Sequence, residues 1–385
     1  MRSNYKQLGQ YIRQVDVRNV DGKEENLLGV SVQKQFIPSI ANTVGTDFSK
    51  YKVVKKGQFT YIPDTSRRGD KIGIALLEDY EEGLVSNVYT VFEVIDENQL
   101  MPEYLMMWFK RPEFDRYARF KSHGSVREVM DWDEMCKVEL PVPPIEKQRS
   151  IVKAYQTITD RIVLKRKINE DLVVSLSTVY KELFSDAETQ YSKVPLQKIC
   201  TKIGSGATPK GGKTAYIDEG ISLIRSTNVF DFQFEYSDLA HINQTQADAL
   251  SNVTVEPNDV LFNITGVSVA RCCMVPDDVL PARVNQHVMI VRPAKGVAMS
   301  YYIMFTLCSA GNKAKLLGIG QSGSTREAIN KQELESFEIP IPDDDSLNKF
   351  GEIALCVYKN IQCNVKEIRL LEDMKSVLLA QLSSH

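Results

Sequence analysis

Two long stretches of the chain repeat apolar residues at the spacing of an α-helix. Between Pro144 and Pro195 the chain contains neither proline nor glycine. Within this stretch, apolar residues recur at steps of three and four while charged residues fill the other face. The apolar positions are Ile151, Ala154, Ile158, Ile162, Leu172, Leu176, Val179 and Leu183. A helix from Ile145 to Phe184 would be ~60 Å long, so it needs a partner along its whole stripe.

The predicted partner lies in the same chain, where residues 343–385 contain one glycine, Gly351, and no proline. A shift of 199 residues places the two halves of the chain in register. It matches Gly124–Glu128 with Gly323–Glu327, Glu139–Pro143 with Glu338–Pro342, Ile162 with Ile361, Leu172 with Leu371 and Leu183 with Leu382, and Asn87 more loosely with Asn285. This period is too long for a solenoid repeat and indicates a duplicated domain.

Each long helix is preceded by a region of short β-type runs and short helices. In the first region, Phe59–Ile62 and Tyr89–Val94 predict strands, whereas Pro102–Phe109 predicts a helix with proline in its first turn. The second region repeats this plan. The predicted fold class is α+β: two duplicated α+β domains separated by two long helices. The predicted boundaries are 1–143 for the first domain, 144–184 for the first helix, 185–342 for the second domain and 343–385 for the second helix.

Three motifs carry a resemblance to a known family. They are the stretch LPVPPIEKQ at Leu140–Gln148, GSGATP at Gly204–Pro209 and GISLIRSTN at Gly220–Asn228. Together with the alternation of domain and helix, they resemble the specificity subunit of type I restriction-modification systems over nearly the whole chain. One departure is the start of the second helix, where Asp343–Leu347 stands in place of Pro144–Gln148.

The resemblance implies a non-catalytic subunit that recognises double-stranded DNA. Each domain would be a target-recognition domain for one half of a bipartite target. The long helices would pair as an antiparallel coiled coil and act as a spacer between the half-sites. The implied partners are two methylation subunits, which bind S-adenosylmethionine, and two restriction or motor subunits, which use ATP and Mg. No cofactor is expected in this chain.

Composition alone would not suggest a DNA-binding protein, because the formal net charge is −3. Positive charge is local, with six basic residues between Lys110 and Arg127 against Glu113 and Asp115. Such a chain can still read DNA if partner subunits supply most phosphate contacts. Seven scattered cysteines and four isolated histidines indicate neither a disulfide framework nor a zinc site. The chain shows no signal peptide and no stretch of 18 apolar residues, so we expect a cytoplasmic protein without a membrane partner.

Two motifs raise the alternative of a self-contained enzyme that uses a nucleotide or S-adenosylmethionine. Ala207–Thr214 fits a relaxed phosphate-loop pattern through Lys213, but a working loop needs a helix whose N-terminus faces the phosphates. A mobile loop rich in lysine and glycine is the favoured interpretation, and such a loop could also contact DNA phosphates. Asp64 and Asp70 could belong to a nuclease site, although a solvated turn is favoured. A third hypothesis is a structural scaffold whose helices only dimerise, which predicts no DNA sequence preference.

The candidate DNA-contacting residues lie in polar or basic loops. Residues 122–127 and 321–326 occupy matching places in the two domains and combine hydroxyl groups with one arginine, which suits contact with phosphate or guanine. A glycine-built turn that caps the next helix remains the alternative. The candidates are Gln33, Lys34, Arg67, Arg68, Lys71, Lys121, Ser125, Arg127, Thr208, Lys210, Lys213, Arg225, Thr227, Asn228, Gln321, Ser324, Thr325 and Arg326.

Overall fold

A computed structural model describes residues 5–22, 24–39, 45–65, 71–122, 128–321 and 327–384. The chain divides into two compact units. Unit 1 contains Met1–Leu164 and Ile368–His385, and unit 2 contains Lys165–Glu367. Each long helix therefore contributes one part to each unit, and the predicted four-segment boundaries stay a prediction. Among the described residues, no helix combines the length and the apolar character needed to cross a membrane.

Unit 1 is an α+β domain built around a four-stranded antiparallel sheet of order β2-β9-β6-β7. Two antiparallel pairs, β3-β4 and β5-β8, are joined by a parallel bridge between Leu27 and Leu84, and β1 pairs with β10. Its elements are β1 Tyr5–Gln7, β2 Ile12–Val15, β3 Leu28–Val30, β4 Phe36–Pro38, β5 Lys52–Lys55, β6 Phe59–Ile62, β7 Gly73–Leu76, β8 Glu82–Val85, β9 Thr90–Val94, α1 Pro102–Phe109, α2 Pro112–Lys121, α3 Trp132–Cys136 and β10 Glu139–Pro141.

Unit 2 repeats this architecture with a four-stranded sheet of order β12-β21-β18-β19. Its second sheet has the order β16-β13-β20-β17, while β11 pairs with β22 and β14 with β15. Its elements are α5 Ala187–Gln190, β11 Lys193–Pro195, α6 Leu196–Ile199, β12 Cys200–Ser205, β13 Ile221–Ile224, β14 Val229–Phe230, β15 Gln233–Phe234, β16 Ala240–Ile242, α7 Gln244–Ala249, β17 Thr254–Val255, β18 Val260–Asn263, β19 Cys272–Met274, β20 Ala282–Val284, β21 Val288–Pro293, α8 Gly296–Cys308, α9 Ala310–Gln321, α10 Lys331–Glu335 and β22 Glu338–Pro340.

The duplication predicted from the sequence is confirmed by matching strand orders and by matching side-chain contacts. In unit 1 the buried Tyr104 Oη donates to the Pro141 carbonyl oxygen at 3.2 Å. In unit 2 the buried Tyr302 Oη donates to the Pro340 carbonyl oxygen at 2.7 Å. Each bond ties the helix that follows the last strand of the main sheet, α1 or α8, to the strand that precedes the long helix, and it satisfies a hydroxyl that burial would otherwise penalise. These contacts fix the residue equivalence between the two units.

The two long helices are α4, Ile145–Phe184, and α11, Asp344–Gln381. Their parts run antiparallel inside each unit: Lys375 lies over the Tyr155 ring in unit 1, and Tyr180 packs against Phe350 in unit 2. Most side chains of the predicted apolar stripe are buried or half-buried, and Ile162 and Leu176 are nearly fully buried. Ala154 is exposed, contrary to the prediction, because Val152 and Tyr155 take the buried positions of that turn.

The long helices begin differently, as the departure between their sequences suggested. The buried Gln148 accepts from the Met101 amide at 2.9 Å and donates to the Gln99 and Pro143 carbonyls at 2.8 Å each. At the equivalent place in unit 2, the buried Leu347 makes apolar contacts instead. Helix α11 is capped by Asp343, and the backbone hydrogen bond from Ser346 is the main cause that lowers the pKa of that carboxyl to about 2.

Candidate nucleic-acid interface

In unit 2, two neighbouring parallel strands end at one edge of the second sheet. Strands β13 and β20 are paired in parallel, so Arg225 and Asn285 follow their last residues at the same edge. The Asn285 amide donates to the Ile224 carbonyl at 3.0 Å, which holds the two strand ends together. Polar side chains that follow these strands therefore share one surface, as in other sheets with parallel strands.

A series of hydrogen bonds connects this edge to the loop that follows β12. The Gly206 amide donates to the Asn285 carbonyl at 3.1 Å, and Thr208 Oγ1 bonds to Gln286 Oε1. The series continues from Gln286 to His287 at 3.1 Å and from His287 Nδ1 to Thr265 Oγ1 at 2.7 Å. The predicted site residue Thr208 is thus placed beside residues 285–287 and the turn after β18.

The same surface includes both ends of the loop between α9 and α10. Thr265 forms a bridge with Ala328, and the Gly266 amide donates to the Glu327 carbonyl at 2.9 Å. The Ala328 amide donates to the Gly320 carbonyl at 3.1 Å, next to the exposed Gln321. The predicted residues Ser324, Thr325 and Arg326 lie outside the described residues, but the residues that flank them are fixed at this edge.

Unit 1 has an equivalent frame. Asp64 forms a bridge with Val129, and the Thr65 amide donates to the Glu128 carbonyl at 3.0 Å. Thr65 Oγ1 also donates to Ser122 Oγ at 2.8 Å. These contacts bring together the ends of two segments, 66–70 and 123–127. The four predicted residues within them, Arg67, Arg68, Ser125 and Arg127, lie outside the described residues.

Comparison with known proteins shows which proteins this chain resembles. Residues 9–173 match the family model "Type I restriction modification DNA specificity domain". The type I restriction enzyme MjaIX specificity subunit of Methanocaldococcus jannaschii is 23% identical over 309 residues, which cover 75% of this chain and 70% of that protein. The putative type I restriction enzyme MjaX specificity subunit of the same organism is 19% identical over 359 residues, covering 86% and 79%.

Residues 9–173 form a type I specificity domain. A crystal structure of the type I restriction-modification S subunit from M. genitalium shares the fold, with a TM-score of 0.60 at 12% identity, and the match covers 98% of this chain and 95% of that one. The resemblance predicted from the sequence motifs is therefore confirmed, and the S-subunit fold extends through both units.

The predicted site residues of this specificity-subunit fold differ in exposure. Six are exposed: Gln33, Lys71, Thr208, Lys210, Thr227 and Gln321. Lys121 is half-buried, with Nζ 3.8 Å from a Glu134 carboxylate oxygen. Arg225 is half-buried, donates to the Asp238 carbonyl and lies over the Tyr216 ring at 5.6 Å. The backbone of Lys213 lies in a 3₁₀ turn, Gly212–Ala215, and its side chain is outside the described part.

The prediction that Lys34 contacts DNA is corrected by its burial. Lys34 is 6% exposed, and its Nζ donates to the Phe109 carbonyl at 2.6 Å and to Asp115 Oδ1 at 2.7 Å. Burial lowers the pKa of this ammonium, although the hydrogen bond and charge of Asp115 act in the opposite direction. The Lys34 ammonium therefore stabilises the domain through these two acceptors and is not available to bind a DNA phosphate.

Asn228 requires the same correction, because its amide closes the turn after β13. The side chain is fully buried; Oδ1 accepts from the Arg225 amide at 3.0 Å, and Nδ2 donates to the Glu235 carbonyl at 2.9 Å. The neighbouring Thr227 is exposed and stays a candidate. The loop's position agrees with the prediction, whereas its asparagine serves the backbone, as turn asparagines commonly do.

Replacing Asn228 should therefore affect the folding of unit 2. Asn228→Ala leaves the Arg225 amide and the Glu235 carbonyl without their partner. We therefore expect the free energy of unfolding of this unit to fall by about 2–3 kcal/mol. Urea unfolding followed by circular dichroism measures the change. Thr227→Ala is the matched control and should change stability by less than about 0.5 kcal/mol. An equally small effect of Asn228→Ala would show that the turn does not depend on this amide.

Sequence reasoning missed three polar residues of this surface, Thr265, Gln286 and His287, and the apolar Val267. Val267 is 96% exposed in a turn that begins at Gly266, whose φ of +67° favours glycine. The loose match of Asn87 with Asn285 indicated matching positions just after β8 and β20. It did not show which loops lie beside these positions. The loop after β12 is followed by the 3₁₀ turn and then β13, an arrangement that favours the interpretation as a lysine- and glycine-rich loop over a phosphate loop.

Proposed function

We propose that this chain is the DNA-recognition subunit of a type I restriction-modification complex, in which each specificity domain reads one half of a bipartite target. The observation that supports this proposal is the repetition of one frame in both units. In unit 1 the turn after β6 is bridged to the segment before α3, and in unit 2 the turn after β18 is bridged to the segment before α10. The test is selection of bound sites from random double-stranded DNA by the reconstituted complex. Two separated sequence elements are expected, whereas a single element would contradict two readers.

The chemistry of this frame suits base recognition. Hydroxyl and amide groups such as Thr208, Thr227 and Gln286 donate to and accept from base edges in the major groove. Arg127 and Arg326 are the proposed guanine or phosphate contacts, because arginine offers two parallel donors. Lys210 and Lys71 are exposed cations suited to phosphates. The formal net charge of −3 is consistent with a complex in which other subunits provide most phosphate contacts.

We further propose that the chain itself binds no cofactor and performs no catalysis. Two methylation subunits would bind S-adenosylmethionine, and two restriction or motor subunits would use ATP and Mg. Docking of partners is supported by an apolar face of α11, where Leu370, Met374 and Val377 are 64%, 55% and 55% exposed at helical spacing. Neither ATP nor S-adenosylmethionine should raise the melting temperature of the isolated chain; stabilisation by either would favour a self-contained enzyme.

Lys210 provides a test of the loop after β12. Lys210→Ala should weaken binding of the complex by a similar factor for all DNA sequences and reduce the slope of log affinity against log salt by about one, because one phosphate contact is lost. Fluorescence anisotropy over a range of salt concentrations measures both. Lys198→Ala, an exposed lysine on α6, is the control and should leave the slope unchanged. A loss confined to one base position would assign Lys210 to base recognition instead.

A further inference from the structure

Unit 1 contains a groove of about 480 Å³ between β7, α1 and the first turns of α4. Its floor consists of the buried apolar side chains Met106, Met107, Val152 and Tyr155. Four carboxylates and one ammonium line the rest: Glu78, Asp79, Glu103, Asp160 and Lys110. Burial raises the pKa of the Glu78 carboxyl, whereas the positive charge of Lys110 acts in the opposite direction. Lys110 and Lys375 lie over the Tyr155 ring at 5.3 and 5.9 Å, so the groove has an acidic rim, an apolar floor and two cations at the Tyr155 end of that floor.

In unit 2, side chains of that unit occupy the place that corresponds to the groove of unit 1. The Tyr104–Tyr302 equivalence makes Phe305 the counterpart of Met107, and the equivalence of Pro141 with Pro340 makes Tyr358 the counterpart of Thr159. Phe232, between β14 and β15, packs its ring centroid 4.7 Å from that of Phe305. The Tyr358 hydroxyl donates to the Phe232 carbonyl at 3.4 Å.

Two features distinguish unit 2 here: the stacked rings of Tyr301 and Tyr358, and the length of one connection. In unit 1 the strands β3 and β4 are joined by residues 31–35, whereas in unit 2 the matching strands β13 and β16 are joined by residues 225–239. The longer connection forms the β14–β15 hairpin and reaches the edge strand β19, where the Phe232 amide donates to the Cys272 carbonyl at 2.9 Å.

The two connections are anchored by ion pairs of opposite polarity. In unit 1, Lys34 of the turn pairs with Asp115 of α2 at 2.7 Å. In unit 2, Asp231 of the hairpin pairs with Lys313 of α9 at 2.5 Å. Lys34 and Phe232 share a left-handed backbone, with φ of +63° and +62°. The turn of unit 1 therefore contacts α2 through the Lys34 side chain. Residues 31–35 include no aromatic residue, so this turn places no ring in the groove.

We propose that the groove of unit 1 binds a turn of a second polypeptide that presents an aromatic side chain between lysine or arginine residues. The filled groove of unit 2 shows that a turn with one aromatic ring fits this place in the fold. In unit 1, the ring would lie on Met106 and Met107, because methionine sulfur and aromatic rings attract each other. The flanking cations would meet Glu78, Glu103 and Asp160, which gives charge complementarity.

A cyclised, fluorescein-labelled peptide copy of residues 228–235 that carries Asp231→Lys and Glu235→Lys is the probe. Titration of the intact chain into this peptide, followed by fluorescence anisotropy without DNA, should show saturable binding. Adding Phe232→Ala to the peptide should weaken binding at least about ten-fold. Failure of the parent peptide to bind would overturn the proposal without affecting DNA recognition, which the assay does not involve. Equal binding of the two peptides would overturn the role of the ring.

A variant that closes the groove tests the site itself. Glu103→Tyr with Thr159→Tyr installs the counterparts of Tyr301 and Tyr358, whose rings stack at 5.0 Å in unit 2. Peptide binding should fall at least about ten-fold while the melting temperature is kept or raised. Asp160→Lys, which copies Lys359, should also weaken binding, whereas Glu182→Lys elsewhere on α4 should not. Undiminished binding to the closed variant would show that the peptide binds outside the groove.

Discussion

Exchanging residues 1–143 for the first domain of a known type I specificity subunit should change one half of the DNA target and leave the other half unaltered. The junction at residue 143 suits this exchange, because β1 and β10 pair with each other inside the exchanged segment and α4 begins only at Ile145. The frame that holds the candidate loops of unit 1, Thr65 with Ser122 and Glu128, moves with it intact. The expected effect is a complete change of the preferred sequence at one half-site.

Mapping of methylated sites after reconstitution with the partner subunits measures this outcome. Exchange of residues 185–342 is the reciprocal experiment and should change the opposite half. Val152, Tyr155 and Leu382 pack against the first domain, so the melting temperature of each chimera must be compared with that of the parent. A change in both halves, or in neither, would contradict independent reading by two domains.

The sequence predicted the elements with local signals well. The apolar stripe and the prolines around it predicted a helix from Ile145 to Phe184, and the structure has those bounds. The repeated motifs predicted two copies of one domain, and the copies have the same strand order. Both signals depend on residues close in sequence or on direct comparison of the two halves, so no knowledge of tertiary contacts was needed.

The roles of individual loop residues depended on distant partners. Lys34 was predicted at the surface from its polar neighbours, but its acceptors belong to Phe109 and Asp115. Asn228 and Thr227 are adjacent in the sequence, yet one is buried and the other exposed. The surface formed by residues 206–210, 285–287 and 320–321 exists because parallel strands end together. Strand order of this kind is set by contacts between residues distant in the sequence, which periodicity does not encode.

Lengthening both long helices by four residues should lengthen the gap between the two half-sites by one or two base pairs. Four helical residues add ~6 Å and roughly one turn, and DNA advances ~3.4 Å per base pair. Insertions of helix-forming residues after Leu164 and after Glu367 lie at the boundary of the compact units. They leave the contacts of Lys165 with Glu367 at 2.9 Å and of Asn169 with Asn364 at 2.8 Å inside unit 2. The candidate loops of both units are left unaltered, so the half-site sequences should stay the same.

Methylation-site mapping of the doubly extended complex decides whether the helices set this distance. Insertion after Leu164 alone is the matched control. With four residues added to only one helix, the pairing in unit 1, such as Lys375 over Tyr155, and the pairing in unit 2, such as Lys165 with Glu367, cannot both be kept, so the melting temperature should fall. An active complex with both insertions and an unchanged gap would show that the separation is set elsewhere, for example by the partner subunits. A lengthened gap with unchanged half-sites would show that sequence recognition and spacing belong to different parts of the chain. The domain edges would read the sequence, and the number of helical residues between the domains would set the spacing.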